Sequence, residues 1–575
     1  MNTTDTSEGG LEALIVRHLV EANGYEQGAN ADYDKEYAID EARLWRFLKA
    51  TQPEEMAKLG VFESEQKKRQ FLNRLNGELV KRGVIDVLRK GVKVYPANLV
   101  MFYMLPRAKN ASSEAKFAQN IFSVTRQLRY STDAGRLALD LCVFINGLPV
   151  ITFELKNSLT KQCTDDAVHQ NKNDRDPRET LFSFRRTLVH FAVDDQTVKF
   201  CTRLAGKASW FLPFDKGWND GAGNPPNPDG IKTDYLWKDI LTKRKLARII
   251  ENYAQVVEET DEETKKTTVK QIFPRYHQLD AVEKILDNVR KNGVGRRYLI
   301  EHSAGSGKSN SIAWLVHQLA ELENANGEAM FHSVIVVTDR RILDKQIRDT
   351  IKSFMQVKSV FAWAEHSGEL KKAIEDGKRI IVTTIEKFPY IVAEVSPERR
   401  EPRKRSLEGC GDFAKGKRFA IVIDEAHSGQ NGLTSAKMNI ALAGEKFTDN
   451  MDDEDKINVL MEGRRLLKDA SYFAFTATPK NKTLEVFGER YVEDGEVKHR
   501  PFHVYTMKQA IQERFILDVL ANYTTIASYY RLKKSVEDDP VFDRKRAQKK
   551  LRAFVESDSY TIGKKAAMMV EHFHE

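Results

Sequence analysis

The sequence predicts an α/β protein of several domains, and three observations support this prediction. The chain has 575 residues, too many for one hydrophobic core, because domains rarely exceed about 250–300 residues. Short apolar runs alternate with amphipathic helical patterns through residues 297–476, which is typical of a parallel sheet covered by helices. Before them, the runs LALDLCVFI and LPVITFELK flank the turn pair Asn146-Gly147, which indicates an antiparallel hairpin.

The composition excludes several classes of protein. Hydrophobic residues make up 41% of the chain, charged residues 30%, and the mean hydropathy is −0.51, which is typical of a folded globular protein rather than a disordered one. The sequence contains no apolar run of the roughly 20 residues that span a bilayer and no secretory signal. It has four cysteines, none in a CxxC pair, which argues against a zinc site and is typical of the reducing cytoplasm. The net charge of +8 mildly favours a polyanionic partner.

The N-terminal region combines helices with strands. Leu11 to Val20 carry apolar residues at helical spacing, and the hairpin is followed by the β-rich runs TLVHFAV and VKFCTRL. A stretch rich in Gly, Pro and Asn covers residues 217–230 and predicts a long surface loop. The charged segment 256–268 is predicted to be a linker, so we expect an N-terminal domain over 1–255.

The segment HSAGSGKSN at 302–310 indicates a phosphate-binding loop. It follows the strand YLIEH and precedes the helical pattern SIAWLVHQLA, so backbone N–H groups can surround a phosphate at a helix N-terminus. We expect the loop residues Gly305, Ser306 and Gly307 to bind ATP, Lys308 to contact the β- and γ-phosphates, and Ser309 to bind Mg²⁺. His302 stands where the usual motif has glycine.

Two later strand ends add to this prediction. The strand FAIVIDEAH ends in adjacent carboxylates, of which Asp424 is expected to hold Mg²⁺ and Glu425 to polarise the attacking water. The strand ending in FTATP supplies the hydroxyls of Thr476 and Thr478, which are candidates for coupling the phosphate site to a bound polymer.

The hairpin at 137–156 predicts a second, metal-dependent site. Asp140, Glu154 and Lys156 supply the two carboxylates and the lysine that metal-assisted cleavage of a phosphodiester needs. A two-residue turn would put Asp140 opposite Phe153, on the wrong face of the sheet. A three-residue loop that ends in a left-handed Gly147 would pair Phe144 with Leu148 and place Asp140 opposite Thr152. We predict the three-residue loop; the alternative is a strand pair whose charges only meet solvent.

Two family resemblances follow from these motifs. GSGKS, DEAH and TATP resemble superfamily 2 helicases and translocases, and VIVVTDRRILDKQ and VTTIEKF match strand-end motifs of that superfamily. The resemblance implies that Gln278 reads adenine. The D…ExK hairpin resembles the PD-(D/E)xK nuclease core. That resemblance implies a metal-binding role for Glu12 and a possible role for Gln170, although Asp174 stands where the nuclease motif has tyrosine.

Together these features resemble the restriction (R) subunit of type I restriction–modification enzymes, as do the stretches LPFDKGWNDGAGNP, FPRYHQLDAV and MKQAIQERFILDVL. The resemblance implies a cytoplasmic endonuclease that uses ATP and Mg²⁺, moves double-stranded DNA, and works with methyltransferase (M) and specificity (S) subunits. It also implies a first RecA-like lobe over 269–498 and an incomplete second lobe over 499–575.

Two other functions remain open at this point. One is a superfamily 2 ATPase whose N-terminal domain binds nucleic acid without cleaving it. The other is a nucleotide-switched DNA-binding module without turnover, which the short C-terminal segment favours. Because only 575 − 498 = 77 residues follow the first lobe, about half of the roughly 150 of an ordinary domain, we expect ATP to bind but to turn over slowly.

Overall fold

Two seven-stranded sheets organise the protein, whose structure is a computed structural model. It describes residues 8–106, 110–132, 137–260, 264–338, 341–354, 361–364, 366–384, 416–424 and 469–518. The chain up to Ile516 clusters as one compact unit. The mixed α/β architecture confirms the predicted fold class.

The first sheet is mixed and has the strand order β1-β6-β7-β8-β9-β10-β11. Strands β7 and β8 lie near its centre and are almost wholly buried, since their residues are predominantly apolar. Strands β2 and β3 form a separate pair, and so do β4 and β5. The strand bounds are β1 (Glu26–Gly28), β2 (Tyr33–Asp34), β3 (Ile39–Asp40), β4 (Val92–Val94), β5 (Ala97–Leu99), β6 (Phe122–Arg129), β7 (Ala138–Ile145), β8 (Leu148–Leu155), β9 (Val189–Val193), β10 (Val198–Cys201) and β11 (Leu212–Pro213).

Helices cover this sheet. The first helix contacts β1, β6 and β8, and the seventh contacts β8, β9 and β10, so both lie beside the strands that carry the predicted nuclease residues. The bounds are α1 (Glu8–Glu21), α2 (Glu41–Thr51), α3 (Pro53–Leu59), α4 (Glu65–Arg82), α5 (Val84–Lys90), α6 (Ala111–Ala118), α7 (Thr164–Asn173) and α8 (Lys243–Arg248). Single π-helical turns at Leu236–Ile240 and Ile249–Tyr253 flank α8.

The segment 256–268 is predicted to be a charged linker, but its residues 256–260 and 267–268 belong to a two-stranded antiparallel ribbon. Strand β12 (Gln255–Thr260) pairs with β13 (Thr267–Ile272) along the full length of both. The prediction was wrong because charged and polar side chains also suit the exposed outer end of a ribbon, where backbone hydrogen bonds and threonine pairing suffice. Val257 and Gln271, at the other end of the ribbon, are buried.

The second sheet is entirely parallel and has the order β16-β17-β15-β18-β19-β14-β22. The five strands predicted from apolar runs are present, whereas β16 and β22 were not predicted because each is only a few residues long. A second ribbon pairs β20 with β21. The bounds are β14 (Arg297–His302), β15 (Ser333–Thr338), β16 (Phe361–Ala364), β17 (Ile380–Thr384), β18 (Phe419–Ile423), β19 (Ala470–Thr476), β20 (Glu489–Glu493), β21 (Glu496–Arg500) and β22 (His503–Tyr505).

The helices around this sheet follow their strands, as parallel connections require. Their bounds are α9 (Tyr276–Asn292), α10 (Lys308–Ala320), α11 (Arg341–Ser353), α12 (Ser367–Glu375), α13 (Asn481–Phe487) and α14 (Met507–Gln512). No helix in the described ranges is long and apolar enough to cross a membrane.

One hydrophobic core runs from the first sheet into the second. At the junction the indole N–H of Trp314 donates to the carbonyl of Tyr253 at 2.9 Å. Nearby, Phe214 packs against Phe273, with 6.0 Å between their ring centres. The two sheets are therefore joined by buried contacts and not only by the covalent chain.

Candidate active sites

The phosphate loop lies between β14 and α10, as the sequence predicts. Gly305 and Gly307 both have a left-handed backbone, with φ of 73° and 74°, which glycine adopts without steric cost. Gly307 caps α10, and Lys308 is the first residue of the helix. The loop therefore has the geometry that presents a helix N-terminus to a phosphate group.

Three side chains at the start of α9 hold the carbonyls of this loop. Arg275 donates to the carbonyl of Gly305 at 2.8 Å, and the His277 ring donates to that of Ser306 at 2.9 Å. The side-chain amide of Gln278 donates to the carbonyls of Ser306 and Gly307 at 3.0 and 3.1 Å. These hydrogen bonds hold Gln278 against the phosphate loop, where a residue of a nucleotide site is expected.

Lys308 and Asp424 form the charged part of the site. The Lys308 ammonium donates to the carbonyl of His302 at 3.1 Å. Burial lowers the pKa of Lys308 to about 8, an effect that Asp424 partly offsets. Burial likewise raises the pKa of Asp424 to about 6, against the opposing influence of Lys308. The two groups thus interact across the carboxyl ends of β14 and β18.

The remaining predicted residues of this site are placed as follows. Ser309 lies half-buried in the first turn of α10, and Thr476 ends β19 beside Glu301 of β14. Thr478 follows two residues later, in a bend. Glu425 lies outside the described residues, so its geometry stays a prediction.

The loop fits a nucleotide with Mg²⁺. The hydroxyl of Ser306 is buried and has no hydrogen-bond partner among the described residues, which leaves it available to a ligand in the loop. Lys308 supplies a cation, and Ser309 and Asp424 supply oxygen atoms of the kind that Mg²⁺ prefers. ATP would be held by Gln278 and the 305–309 segment.

The predicted nuclease hairpin forms, but with a different turn. Ile145 pairs with Leu148 across the two-residue turn Asn146-Gly147, so the predicted three-residue loop is wrong. Both turn residues are left-handed, with φ of 50° and 84°, as a type I′ turn requires. The turn is fixed by tertiary contacts: the Asn146 side chain bonds Met101 and Asn120 at 2.9 Å each, and a Cβ on Gly147 would lie 2.5 Å from the Asp40 carbonyl.

A β-bulge in β8 returns Asp140 to the face of the sheet that carries Glu154, as metal-assisted cleavage requires. Phe144 pairs with Pro149 and Val143 with Ile151, so Val150 is the extra residue. The last recorded pair is Leu141 with Phe153, and continuing this register places Asp140 opposite Glu154 rather than the predicted Thr152. The two carboxylates therefore lie side by side on one face of the sheet.

Glu154 is buried and bonded through one oxygen. The Nε of Arg175 donates to Glu154 Oε1 at 2.5 Å, and Nη2 of the same guanidinium forms an ion pair with that oxygen. Oε2 is buried without a hydrogen-bond partner in the described ranges. Burial raises the pKa of Glu154 to about 8, while Arg175 acts in the opposite direction.

Asp140 and Glu12 are joined through Gln127. Asp140 accepts from the backbone N–H of Leu155 at 2.7 Å and from the Gln127 amide at 3.3 Å. The same amide nitrogen donates to Glu12 at 2.7 Å, and Glu12 also pairs with Arg126. Burial raises the pKa of Asp140, and the charge of Glu12 adds to the increase. The structure thus brings Glu12 next to the hairpin carboxylates.

Lys156 and Gln170 differ in how closely they join this group. Lys156 is buried just after β8, and its charge lowers the pKa of both Asp140 and Glu154. Gln170 lies half-buried on α7, and its side chain has no hydrogen bond to the hairpin residues in the part of the chain described here. The charges of Asp140, Glu154 and Lys156 therefore interact, whereas no hydrogen bond within the described ranges links Gln170 to these three residues.

The donors of this group fit a single Mg²⁺ only in part. Asp140 and the unpartnered Oε2 of Glu154 offer carboxylate oxygens, the ligands that Mg²⁺ prefers. No group of three or more His, Cys, Asp and Glu side chains in the described ranges is arranged to hold a metal ion. Mg²⁺ usually keeps several waters and binds few carboxylates, so two carboxylate ligands completed by water are compatible with it.

Sequence reasoning missed several residues around both sites. Arg175, Gln127 and Arg275 contact predicted site residues directly. Arg275 is only three positions from Gln278 and could have been found from its place in FPRYHQ. Arg175 and Gln127 carry no motif signal, because their roles arise from the tertiary fold.

The fold and the two sites define a class of protein: an α/β domain with a D…ExK hairpin, joined to an ATPase sheet with a phosphate loop. Residues 5–209 match the family model of the type I restriction enzyme R protein N terminus, and residues 277–553 match that of the SWI2/SNF2 ATPase. These matches confirm the resemblance of the chain to the R subunits of type I restriction enzymes.

Individual relatives agree with this assignment. The chain is 26% identical over 464 residues to a putative type I restriction enzyme MjaVIIIP endonuclease subunit of Methanocaldococcus jannaschii, covering 77% of this chain and 39% of the relative. It is 24% identical over 479 residues to the type I restriction enzyme HindI endonuclease subunit of Haemophilus influenzae, covering 77% and 41%. The chain thus spans about two fifths of the length of these curated relatives.

Among solved structures, the chain is similar to a fragment of a putative HsdR subunit of a type I restriction enzyme from Vibrio vulnificus YJ016. The two are 13% identical, and the match covers 76% of this chain and 60% of the other. The TM-score is 0.24, which is below the level at which two folds count as the same.

Proposed function

We propose that this chain acts in an ATP-dependent, DNA-translocating restriction endonuclease that cuts duplex DNA with Mg²⁺. The observation that carries the proposal is the hairpin register: continued past the Leu141–Phe153 pair, it sets Asp140 opposite Glu154, whose Oε2 is buried without a hydrogen-bond partner among the described residues. The R-protein match over 5–209 supports it, because the hairpin lies within that segment. Methyltransferase and specificity subunits are the proposed partners, and target recognition belongs to the specificity subunit.

In the nuclease site, Asp140 and Glu154 would hold Mg²⁺, which lowers the pKa of a bound water and polarises the phosphate. Glu154 is fixed by Arg175, and Asp140 by the backbone N–H of Leu155 and the amide of Gln127. Lys156, the third residue of the triad, orients the attacking water and offsets the negative charge that develops on the phosphate.

In the ATP site, the left-handed glycines let the loop wrap around the phosphates, and Lys308 neutralises charge on the β- and γ-phosphates. Ser309 and Asp424 would hold Mg²⁺ there, and Glu425 orients the water that attacks the γ-phosphate. Thr476 and Thr478 lie at the end of β19, next to the phosphate strand, where they can transmit a change in the nucleotide to bound DNA.

Single substitutions test the proposal in a complex completed with M and S subunits. Asp140→Ala, Glu154→Ala and Lys156→Ala should abolish plasmid cleavage and leave DNA-stimulated ATPase nearly intact, because the two sites lie on different sheets. Lys308→Ala should abolish ATPase and therefore cleavage. Unchanged cleavage by the Glu154→Ala complex would falsify the nuclease assignment.

The same experiment separates the other candidate functions. A superfamily 2 ATPase that only binds nucleic acid would hydrolyse ATP without cutting in the wild-type complex. A nucleotide-switched binding module would do neither. Neither candidate accounts for a buried carboxylate that has one oxygen without a partner in the described ranges and that interacts with a second carboxylate and a lysine, so neither is favoured.

A further inference from the structure

We propose that Arg175 is a positioning residue of the nuclease site, which holds Glu154 by one oxygen so that the other is free for the metal ion. The proposal rests on the nuclease function proposed above. It assigns a role to a residue outside the D…ExK motif, in the segment that follows α7.

The geometry of the contact is one-sided. The Nε of the Arg175 guanidinium donates to Glu154 Oε1, and Nη2 lies in ion-pair contact with the same oxygen. The other oxygen, Oε2, is buried and has no partner in the described part of the chain. A guanidinium can bind both oxygens of a carboxylate at once, so a contact with one oxygen alone leaves half of the carboxylate unsatisfied. A cation at Oε2 would satisfy it.

Arg175 is itself held in place from the other side. Its Nη1 donates to the hydroxyl of Tyr130 at 2.9 Å, and its guanidinium lies 5.3 Å from the centre of the Tyr130 ring. Tyr130 in turn packs edge-on against Phe182, with 4.7 Å between ring centres. The side chains of Arg175 and Glu154 are only 3% and 1% exposed, so the guanidinium has little freedom to turn away.

Charge also favours this role. A buried carboxylate is costly unless a partner charge is present, and Arg175 is the partner that contacts Glu154 directly. Because Arg175 occupies only Oε1, it can remain in place when a metal ion binds Oε2. Partners that orient metal ligands in this way typically change metal affinity by about 10- to 100-fold when they are removed.

The test is the affinity of the purified full chain for Mn²⁺, used as a spectroscopic substitute for Mg²⁺, without nucleotide or DNA. The Mn²⁺ that is lost in Glu154→Gln defines the nuclease site. At that site Arg175→Met should bind Mn²⁺ at least about tenfold more weakly, and Arg175→Lys should recover part of the loss because it keeps the charge. Arg178→Met is the matched control: the Arg178 side chain is 90% exposed and pairs with Asp176, so the Mn²⁺ affinity of this variant should equal that of the wild type.

The outcomes separate this proposal from the nuclease function. If Glu154→Gln binds Mn²⁺ as the wild type does, the metal site itself is wrong. If Glu154→Gln loses the ion but Arg175→Met keeps wild-type affinity, only the role of Arg175 is wrong. Should Arg175→Met fail to fold, Tyr130→Phe decides, because it removes the hydroxyl that fixes the guanidinium. We expect weaker Mn²⁺ binding by a protein that still folds, as circular dichroism checks, with a loss of about 1–3 kcal/mol of stability. Wild-type affinity in both Tyr130→Phe and Arg175→Lys would overturn the proposal.

Discussion

Arg275 and Glu513 form a buried ion pair, with 3.0 Å between Nη2 and Oε2 and side chains only 7% and 4% exposed. The same guanidinium donates to the carbonyl of Gly305 in the phosphate loop and lies 3.5 Å from the centre of the Phe515 ring. Glu513 also accepts from the hydroxyl of Tyr505 at 2.7 Å. Arg275 therefore links the segment that follows β22 to the nucleotide loop, in addition to the hydrogen bond from the Ser303 hydroxyl to the carbonyl of Thr506.

Removing Glu513 should destabilise the protein strongly. In Glu513→Ala the buried charge of Arg275 loses its partner, which typically costs about 3–5 kcal/mol. Denaturant unfolding should show this loss, and the affinity for an ATP analogue should fall because Arg275 no longer holds Gly305 in place. The control is Glu485→Ala, whose exposed pair with Lys482 is worth about 0–1 kcal/mol. Equal losses of unfolding free energy in the two variants would show that the buried pair stabilises the protein no more than the exposed pair does.

The turn at residues 217–223 contacts α14, and a double-mutant cycle should detect this contact. The side-chain oxygen of Gln512 accepts from the backbone N–H of Ala222 at 2.7 Å, and a Cβ on Gly221 would lie 2.3 Å from that oxygen. In Gly221→Ala the flexible glutamine should swing away, so the substitution costs about one hydrogen bond, 0.5–1.5 kcal/mol. Gln512→Ala removes the same bond. The double variant should therefore be no less stable than either single variant in thermal unfolding; additive losses would contradict the contact.

The ATP site was largely predictable from the sequence, and the nuclease site only in part. The phosphate loop is local: strand, glycines, lysine and helix follow one another, so Gly305, Gly307 and Lys308 could be placed directly. The hairpin depends on register, and register depends on a bulge at Val150 that no residue type announces. The turn conformation is also set from outside, by the buried contacts of Asn146 and by the packing of α2 against Gly147.

Partners from distant parts of the chain could not be predicted at all. Arg175 lies 21 residues from Glu154, and Gln127 lies 115 residues from Glu12. Their contacts follow from the order of strands β6, β7 and β8 in the sheet. Pattern reasoning identifies which carboxylates can act together, but the groups that orient them become visible only when the strands are paired.

Nucleotide binding should weaken above about pH 8. The pKa of Lys308 is lowered to about 8 because burial disfavours its ammonium form, so the free protein loses this charge as the pH rises through 8. The phosphates need the charged form, and binding above pH 8 must therefore include uptake of a proton. We expect the dissociation constant of a non-hydrolysable ATP analogue to change little around pH 7 and to increase from pH 8 toward pH 9.5.

The lowered pKa of Lys308 should also make the folded protein more stable as the pH rises, whereas nucleotide binding becomes weaker. The unfolded chain keeps Lys308 protonated up to its ordinary pKa near 10.5, so between about pH 8 and 10.5 it binds more protons at this position than the folded chain does. Unfolding is therefore disfavoured progressively across that window. In Lys308→Met both effects should vanish, leaving a weak, flat affinity for the analogue over pH 7–9.5. A steep increase of the dissociation constant in this variant would show that another group is responsible.

Gln127 should matter for metal binding more than for stability. Its backbone is left-handed, with φ of 44°, in the middle of β6, a conformation that is unfavourable for a non-glycine residue. Its amide nitrogen contacts Glu12 and Asp140 at 2.7 and 3.3 Å, so the unfavourable backbone places one donor between two carboxylates. Gln127→Gly removes both hydrogen bonds but relieves the left-handed backbone, which is worth about 1–2 kcal/mol. The freer glycine backbone costs about 0.5–1 kcal/mol, so the net relief offsets much of the loss. We therefore expect a free energy of unfolding within about 1 kcal/mol of wild type together with Mn²⁺ binding about tenfold weaker.

Asp494→Gly serves as the control, because Asp494 is also left-handed, with φ of 53°, but lies in the turn between β20 and β21. That variant should gain stability and keep wild-type Mn²⁺ affinity. If Gln127→Gly also kept wild-type Mn²⁺ affinity while Glu154→Gln lost the ion, Gln127 would not be needed to orient the carboxylates of Glu12 and Asp140.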